Sequence, residues 1–162
     1  MNVLEYCKQL PLRSYAEGDV VIQQGTRSGL LFMLVSGSVE ILKGDVRVSV
    51  ISEPGAFLGE MSVLLDRPHV ATVRALAATT FRVSDAPLQF LRTDTEIALE
   101  LSRMLAGKLN LVTSYLADLK RQYADSGDHL SMVDEVLEGL LNFQGRKIVA
   151  GSDRCPEPTS DD

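Results

Sequence analysis

GAFLGEMSVLLDRPHVATVRA, residues 55–75, is the stretch whose reading decides the fold. A glycine-containing turn leads into the pair Gly59-Glu60, a short apolar run follows, and Pro68-His69-Val70-Ala71-Thr72 enters what reads as a strand. Such a layout gathers free backbone N–H groups and one carboxylate around a small anionic ligand. One residue stands out, because His69 occupies the place where such a cradle gains most from a permanent cation.

Outward from this stretch, between Gly18 and about Ser84, short β-branched runs alternate with turn residues, the pattern of many short antiparallel strands. Val20-Val21-Ile22 and Leu30 to Val35 are the first runs. Val39 and Ile41 alternate with polar neighbours, Lys43-Gly44-Asp45 supplies turn chemistry, and Val46, Val48 and Val50 alternate again, which predicts a hairpin. Further strands are expected near His69–Ala75 and Thr79–Val83. About eight such strands predict a closed barrel or jelly roll, since closure removes exposed edges.

After Ser84 the spacing turns helical, with Asp85 and Pro87 offering a cap and a first turn. A long helix is predicted from about Thr95 to Ala124. Along it Leu105, Leu109, Val112, Leu116, Leu119 and Tyr123 recur at gaps of 4, 3, 4, 3 and 4. A seam that narrow suits packing against one partner helix, which predicts a homodimer through the long helix. The alternative, that the seam lies on the chain's own barrel, stays open at this point. Ser126-Gly127-Asp128 breaks the pattern, and Leu130, Val133, Leu137 and Leu141 mark a short amphipathic helix with Asp134, Glu135 and Glu138 on its acidic face. Beyond Gln144 the composition predicts a disordered tail. The expected organisation is therefore α+β: a β-barrel over 1–92 with its cassette at 55–75, a long helix over 93–125, a short helix over 126–144 and a tail over 145–162.

Composition narrows the function classes. The 162 residues suit one domain with appendages. Sixteen Lys and Arg against 22 Asp and Glu give a net charge of −6, which disfavours nucleic acid as a partner, and no basic run offsets it. Cys7 and Cys155 are the only cysteines, so neither a disulfide framework nor a cysteine metal site is indicated. The N-terminal MNVLEYCKQLPLRS lacks a signal-peptide pattern and no run of about 18 apolar residues occurs, so a cytoplasmic protein without a membrane partner is expected. A metal-dependent enzyme on such a barrel needs several histidines with a carboxylate, whereas only His69 and His129 exist. No catalytic motif, metal or cofactor is expected.

The run from Phe57 to Ala75, preceded by a strand-rich half and followed by a long helix, resembles the cyclic-nucleotide-binding domain of protein kinase A regulatory subunits, cyclic-nucleotide-gated channels and catabolite activator proteins. The family's phosphate-binding cassette reads approximately F-G-E-[LM]-[AS]-L and then P-R-x-A-T-V. This chain has L-G-E-M-S-V-L-L-D-R-P-H-V-A-T-V, with nine residues from Glu60 to the clamp position. The resemblance also covers Glu17-Gly18-Asp19 and Leu34 to Val39, and so extends over about residues 12–125. It implies cAMP or cGMP as ligand. Glu60 would accept from the ribose 2′-hydroxyl, Gly59 would let the backbone approach, and Met61 and Ser62 would open a helical turn whose N–H groups face the phosphate. The N–H groups around Val70 and Ala71 would complete the cradle. Thr113 and Ser114, with Val112 beside them, are the candidates on the long helix for contacting the base, and Val70, lacking a hydroxyl, favours adenine over guanine.

This sequence departs from the family at the clamp, where His69 stands in place of arginine. Histidine offers at most two N–H donors and carries a charge only part of the time near neutrality. The loss is about 1.5–3 kcal/mol, or roughly ten- to hundredfold in affinity. A phosphate-bound histidine gains a proton, so binding is expected to strengthen as pH falls toward about 6. Arg67 is the candidate substitute cation. Two readings follow: a regulatory module in which ligand binding tightens 55–72, shifts Leu64 and Leu65 and moves the long helix through a hinge near Asp85–Arg92, or a degenerate member that dimerises or docks without a ligand. In either, output passes through an effector protein or through dimer rearrangement, because the short acidic segment after Ala124 offers no DNA-binding motif.

Overall fold

Alternation along the strands sorts side chains between a shared interior and the surface. In the strand Thr79–Ser84, Phe81 and Val83 are buried while the alternate residues Thr80 and Arg82 are only partly so. The computed structural model describes residues 3–123 and 130–141. In chain order its elements are α1 (Val3–Tyr6), β1 (Leu12–Tyr15), β2 (Val20–Ile22), β3 (Leu31–Ser36), β4 (Val39–Lys43), β5 (Val46–Ile51), β6 (Phe57–Leu58), α2 (Glu60–Leu65), β7 (Thr72–Ala75), β8 (Thr79–Ser84), α3 (Pro87–Thr93), α4 (Thr95–Gln122) and α5 (Leu130–Leu141). The strands form two antiparallel four-stranded sheets, β1-β8-β3-β6 and β2-β7-β4-β5, in jelly-roll fashion.

Both sheets feed one core. Ile22, Val39 and Val73 come from one, and Phe32, Leu34, Leu58, Phe81 and Val83 from the other. Phe81 packs edge-to-face on Phe32 and Tyr15, with ring centroids 5.6 and 5.8 Å away, the arrangement that ring quadrupoles favour. Each large side chain buried there contributes about 1.5–3 kcal/mol of hydrophobic stabilisation.

The α+β jelly roll expected from the sequence is thus present. The β4–β5 hairpin turns over Gly44-Asp45, with Lys43 paired to Val46 and Gly44 at φ +62°. Among the described residues the sheets nevertheless keep edges: β5 pairs on its β4 side alone, and Val46, Val48 and Val50 along it are exposed. β7 begins at Thr72, so His69–Ala71 precede the strand instead of opening it. The helical stretch after Ser84 is two helices. Pro87 starts α3, where its missing N–H costs nothing, and the chain extends at Asp94. The Asp94 carboxylate then accepts from the N–H groups of Glu96 and Ile97 at 3.1 and 3.3 Å, which caps α4.

By its contacts the chain divides into two compact units, Met1–Arg103 and Met104–Asp162. The first holds both sheets, α1 to α3 and the opening of α4, whose Ile97 and Leu101 are buried. The second holds the rest of α4 and α5, joined by an ion pair between Lys120 and Asp134. Among the described residues no helix is long and apolar enough to cross a membrane. The expected break at Ser126–Asp128, His129, Cys155 and the expected tail over 145–162 lie outside the described residues.

Candidate functional site

Gly59 sets the geometry of the cassette. It caps the N-terminus of α2 at φ +84°, in the left-handed region. A Cβ at this position would stand 2.8 Å from the Leu30 carbonyl oxygen and 3.6 Å from Cε1 of His69, so conformation and space both require glycine. Glu60 follows as the first helical residue, its carboxylate buried at the end of the helix that favours negative charge. Met61 is exposed. The Ser62 hydroxyl, by contrast, is committed to the far end of α2, donating to the Arg67 carbonyl at 2.6 Å. Asp66 ends the helix at φ +49° with its own N–H on the Ser62 carbonyl. Arg27 donates to the carbonyl and carboxylate of Asp66 at 3.1 and 3.0 Å, tying the β2–β3 loop to this turn.

The returning segment is pinned to the same loop. Gly25 N–H donates to the His69 carbonyl at 2.8 Å and His69 N–H to the Thr26 carbonyl at 2.9 Å. Three residues on, the Thr72 hydroxyl accepts from Gln24 N–H at 3.0 Å. Between these anchors the N–H groups of Val70 and Ala71 meet no acceptor among the described residues. Backbone donors are rarely left without a partner, so this adjacent pair serves solvent or a ligand.

His69 does not extend outward as a clamp. Its imidazole is buried, with Nε2 2.7 Å from the Ser28 hydroxyl and 3.4 Å from the Ser28 N–H. Burial pushes its pKa below the usual histidine value. The proton that the sequence expects His69 to gain near pH 6 is therefore opposed by the fold around the ring. Ser28, 41 residues earlier, escaped the sequence reading because nothing local marks it.

A cavity of about 510 Å³ lies beside the cassette, walled by Ser28, Ser62, Val63, Asp66, Pro87 and Leu88 among others. Gly59, Glu60 and His69 are not in its wall, so it is a neighbour of the cradle rather than its interior. Thr113 and Ser114 belong to the other unit. There the Thr113 hydroxyl donates back to the Leu109 carbonyl at 2.8 Å, and Ser114 is exposed. A second cluster was also invisible to sequence reasoning. Glu40 on β4 is buried and accepts from Arg74 Nε at 2.7 Å and Arg47 Nε at 2.6 Å. These bonds, Arg74 foremost, hold its carboxyl below the ordinary glutamate pKa.

Residues 12–92 match the family model of the cyclic nucleotide-binding domain, and the chain belongs to that family. It is similar to the cAMP-dependent protein kinase regulatory subunit of Mycosarcoma maydis, 36% identical over 104 residues, which are 62% of this chain and 19% of that protein. The matched segments thus span about a fifth or less of the length of these first relatives. Among solved structures, the catabolite activator protein of Thermus thermophilus superposes with a TM-score of 0.63 at 24% identity, covering 73% of this chain and 58% of that one. The regulatory subunit of a cAMP-independent protein kinase A from Trypanosoma brucei does so with a TM-score of 0.52 at 19% identity, covering 60% and 35%. At these identities the likeness concerns the fold.

Proposed function

We propose that the protein is a cytoplasmic regulatory module that binds a cyclic nucleotide, cAMP in preference to cGMP, in the cassette from Gly59 to Ala71. The observation that carries this reading is the pair of partnerless N–H groups at Val70 and Ala71, in a segment that also holds the Gly59 turn and the buried Glu60. A phosphate takes the amides, and Glu60 accepts from the ribose 2′-hydroxyl. Kinase regulatory subunits among the relatives, named as cAMP-dependent, support the nucleotide class. Output runs through α2, which contacts α3, with Leu64 and Leu65 exposed and able to shift before α3 and α4 follow. The module is not itself catalytic, and an effector protein receives the signal.

Calorimetry with cAMP and cGMP at pH 6 and pH 7.5 tests this directly. Heat of binding is expected with cAMP, and Glu60→Ala lowers affinity roughly ten- to hundredfold, the range for a hydrogen bond to a charged group. No heat with either nucleotide overturns the reading and leaves a docking module. The docking alternative rests on the α4 seam, where Leu109, Val112 and Tyr123 are exposed. A homodimer through this seam is part of the proposal. Light scattering of Leu109→Asp/Val112→Asp is expected to show a monomer where the unsubstituted chain is a dimer, and a monomeric parent chain removes the dimer from it.

A further inference from the structure

The hydrogen bonds around His69 assign its tautomer. A backbone N–H can only donate, so the Ser28 N–H facing Nε2 at 3.4 Å requires a lone pair on that nitrogen. The Ser28 hydroxyl agrees. It accepts from Leu30 N–H at 3.2 Å, and its own proton is free to point at Nε2, 2.7 Å away. The ring proton of the neutral imidazole is then on Nδ1. That nitrogen has no hydrogen-bond partner among the described residues, yet none of their fully enclosed side-chain polar atoms lacks one. Nδ1–H is therefore not fully enclosed, and it is bonded to the ring carbon Cε1 that lies beside the Gly59 turn.

We propose that Ser28 is a positioning residue of the ligand cradle, holding His69 as the neutral Nδ1–H tautomer so that the ring offers the ligand one uncharged hydrogen bond instead of a cation. The proposal rests on the ligand-binding reading above. The charged groups on the elements around the ring are Arg27 on the Ser28 loop and Glu60, Asp66 and Arg67 on or just after α2, with Arg74 on the strand that follows. Arg27 and Asp66 pair with each other at 3.0 Å, Arg74 is held by Glu40, and Glu60 and Arg67 have interactions of their own. None of them hydrogen-bonds the imidazole, which leaves Ser28 to set its protonation.

Nitrogen-15 NMR of the histidine side chain in the full chain, with His129→Gln removing the second histidine, reads the tautomer without any nucleotide. Nδ1–H is expected in the parent and in Ser28→Thr, which keeps the hydroxyl, and is expected to be lost or mixed in Ser28→Ala. Calorimetry with cAMP is then run between pH 6 and pH 8. The parent affinity is expected to change little across that range, as Nε2 stays occupied. Ser28→Ala is expected to bind about three- to tenfold more weakly at pH 8 and to recover as the pH falls, because the released nitrogen takes a proton and becomes a cation. Ser28→Thr restores the parent profile. An Nε2–H parent ring, or Ser28→Ala profiles that superimpose on the parent, overturn the proposal while nucleotide binding stands. A parent that binds neither cAMP nor cGMP overturns the ligand reading, and the role of Ser28 in a cradle with it, whatever tautomer is observed.

Discussion

Glu40 and His69 are both buried titratable residues of the first unit, and the fold treats them in opposite ways. Glu40 has both carboxylate oxygens filled, one by Arg74 and one by Arg47, so that β7, β4 and β5 are laced together across their outer face. His69 is met by a single neutral residue, Ser28, at one ring nitrogen, and its other nitrogen is left without a partner among the described residues. Satisfaction on every side makes a group structural, since any change of partner leaves a polar atom unpaired. A buried group with a donor in reserve is poised for something not yet bound. The first arrangement fixes the register of the strand that leaves the cassette, and the second sits in the cassette itself.

The sharpest way to break this contrast is through the backbone that holds the second site. Gly59→Ala forces a Cβ into the left-handed region and against the Leu30 carbonyl, and is expected to cost about 2–4 kcal/mol in urea unfolding. Gly44→Ala is the matched control. Its φ of +62° is similarly unfavourable, but a Cβ there meets nothing within 4 Å, so about 1 kcal/mol is expected. Equal losses at the two positions would show that conformation alone, and not the crowding beside His69, makes Gly59 necessary.

The saturated site is probed next by acid. Its arginines hold Glu40 ionised in the folded protein below its unfolded pKa of about 4.3. The stability this contributes is present above that pH and is lost as pH falls through the lowered folded value. Glu40→Gln is expected to destabilise the protein at neutral pH and to flatten this acid limb in a series of melts. An unchanged limb would mean that the two arginines are no better than solvent for this carboxylate.

How much of each site was legible in the chain follows from the distance over which its parts speak to each other. Alternation and turn glycines announced the longer strands, because both are written in adjacent residues. β6 and α1, two and four residues long, are too short to show a period. The α3–α4 break was hidden because Asp94 interrupts an otherwise helical spacing and becomes a cap only once its carboxylate turns onto Glu96 and Ile97. Gly59, Glu60 and His69 were legible together because a single local segment carries them. Ser28 and the Glu40 cluster were not, since a loop 41 residues away and the β4–β7 register, Glu40 opposite Arg74, exist only after folding. The burial that lowers the His69 pKa had no local signal for the same reason, since the Ser28 loop closes on the ring only in the fold.

Cys7 extends the comparison to a third buried titratable group, one in neither class. It is fully buried, and burial first, with Asp94 adding and Arg82 opposing, pushes its thiol up to about 11. In a Cys155→Ser background, a thiol reagent at pH 8 is expected to label the native protein far more slowly than the urea-unfolded chain, since thiolate and access are both withheld. Equal rates would mean that the α1 region opens readily.

The smallest effect belongs to His69 itself and separates the two sites in one titration. Its folded pKa lies below the unfolded value of about 6.5, so the folded protein binds the proton less readily than the unfolded chain does. Stability is therefore full above about pH 6.5, declines as pH falls below it, and stops declining once the folded ring also protonates. This limb begins at higher pH than the Glu40 limb, so one series of melts reads both. His69→Gln is expected to remove the upper limb and leave the lower one intact. The ligand is expected to leave both limbs unmoved, because Ser28 keeps Nε2 occupied and the neutral ring donates from Nδ1–H, so cAMP adds the same stability at every pH along them. If saturating cAMP instead shrinks the upper limb, the bound ring takes up a proton, and His69 meets the phosphate as a cation and not as a neutral donor.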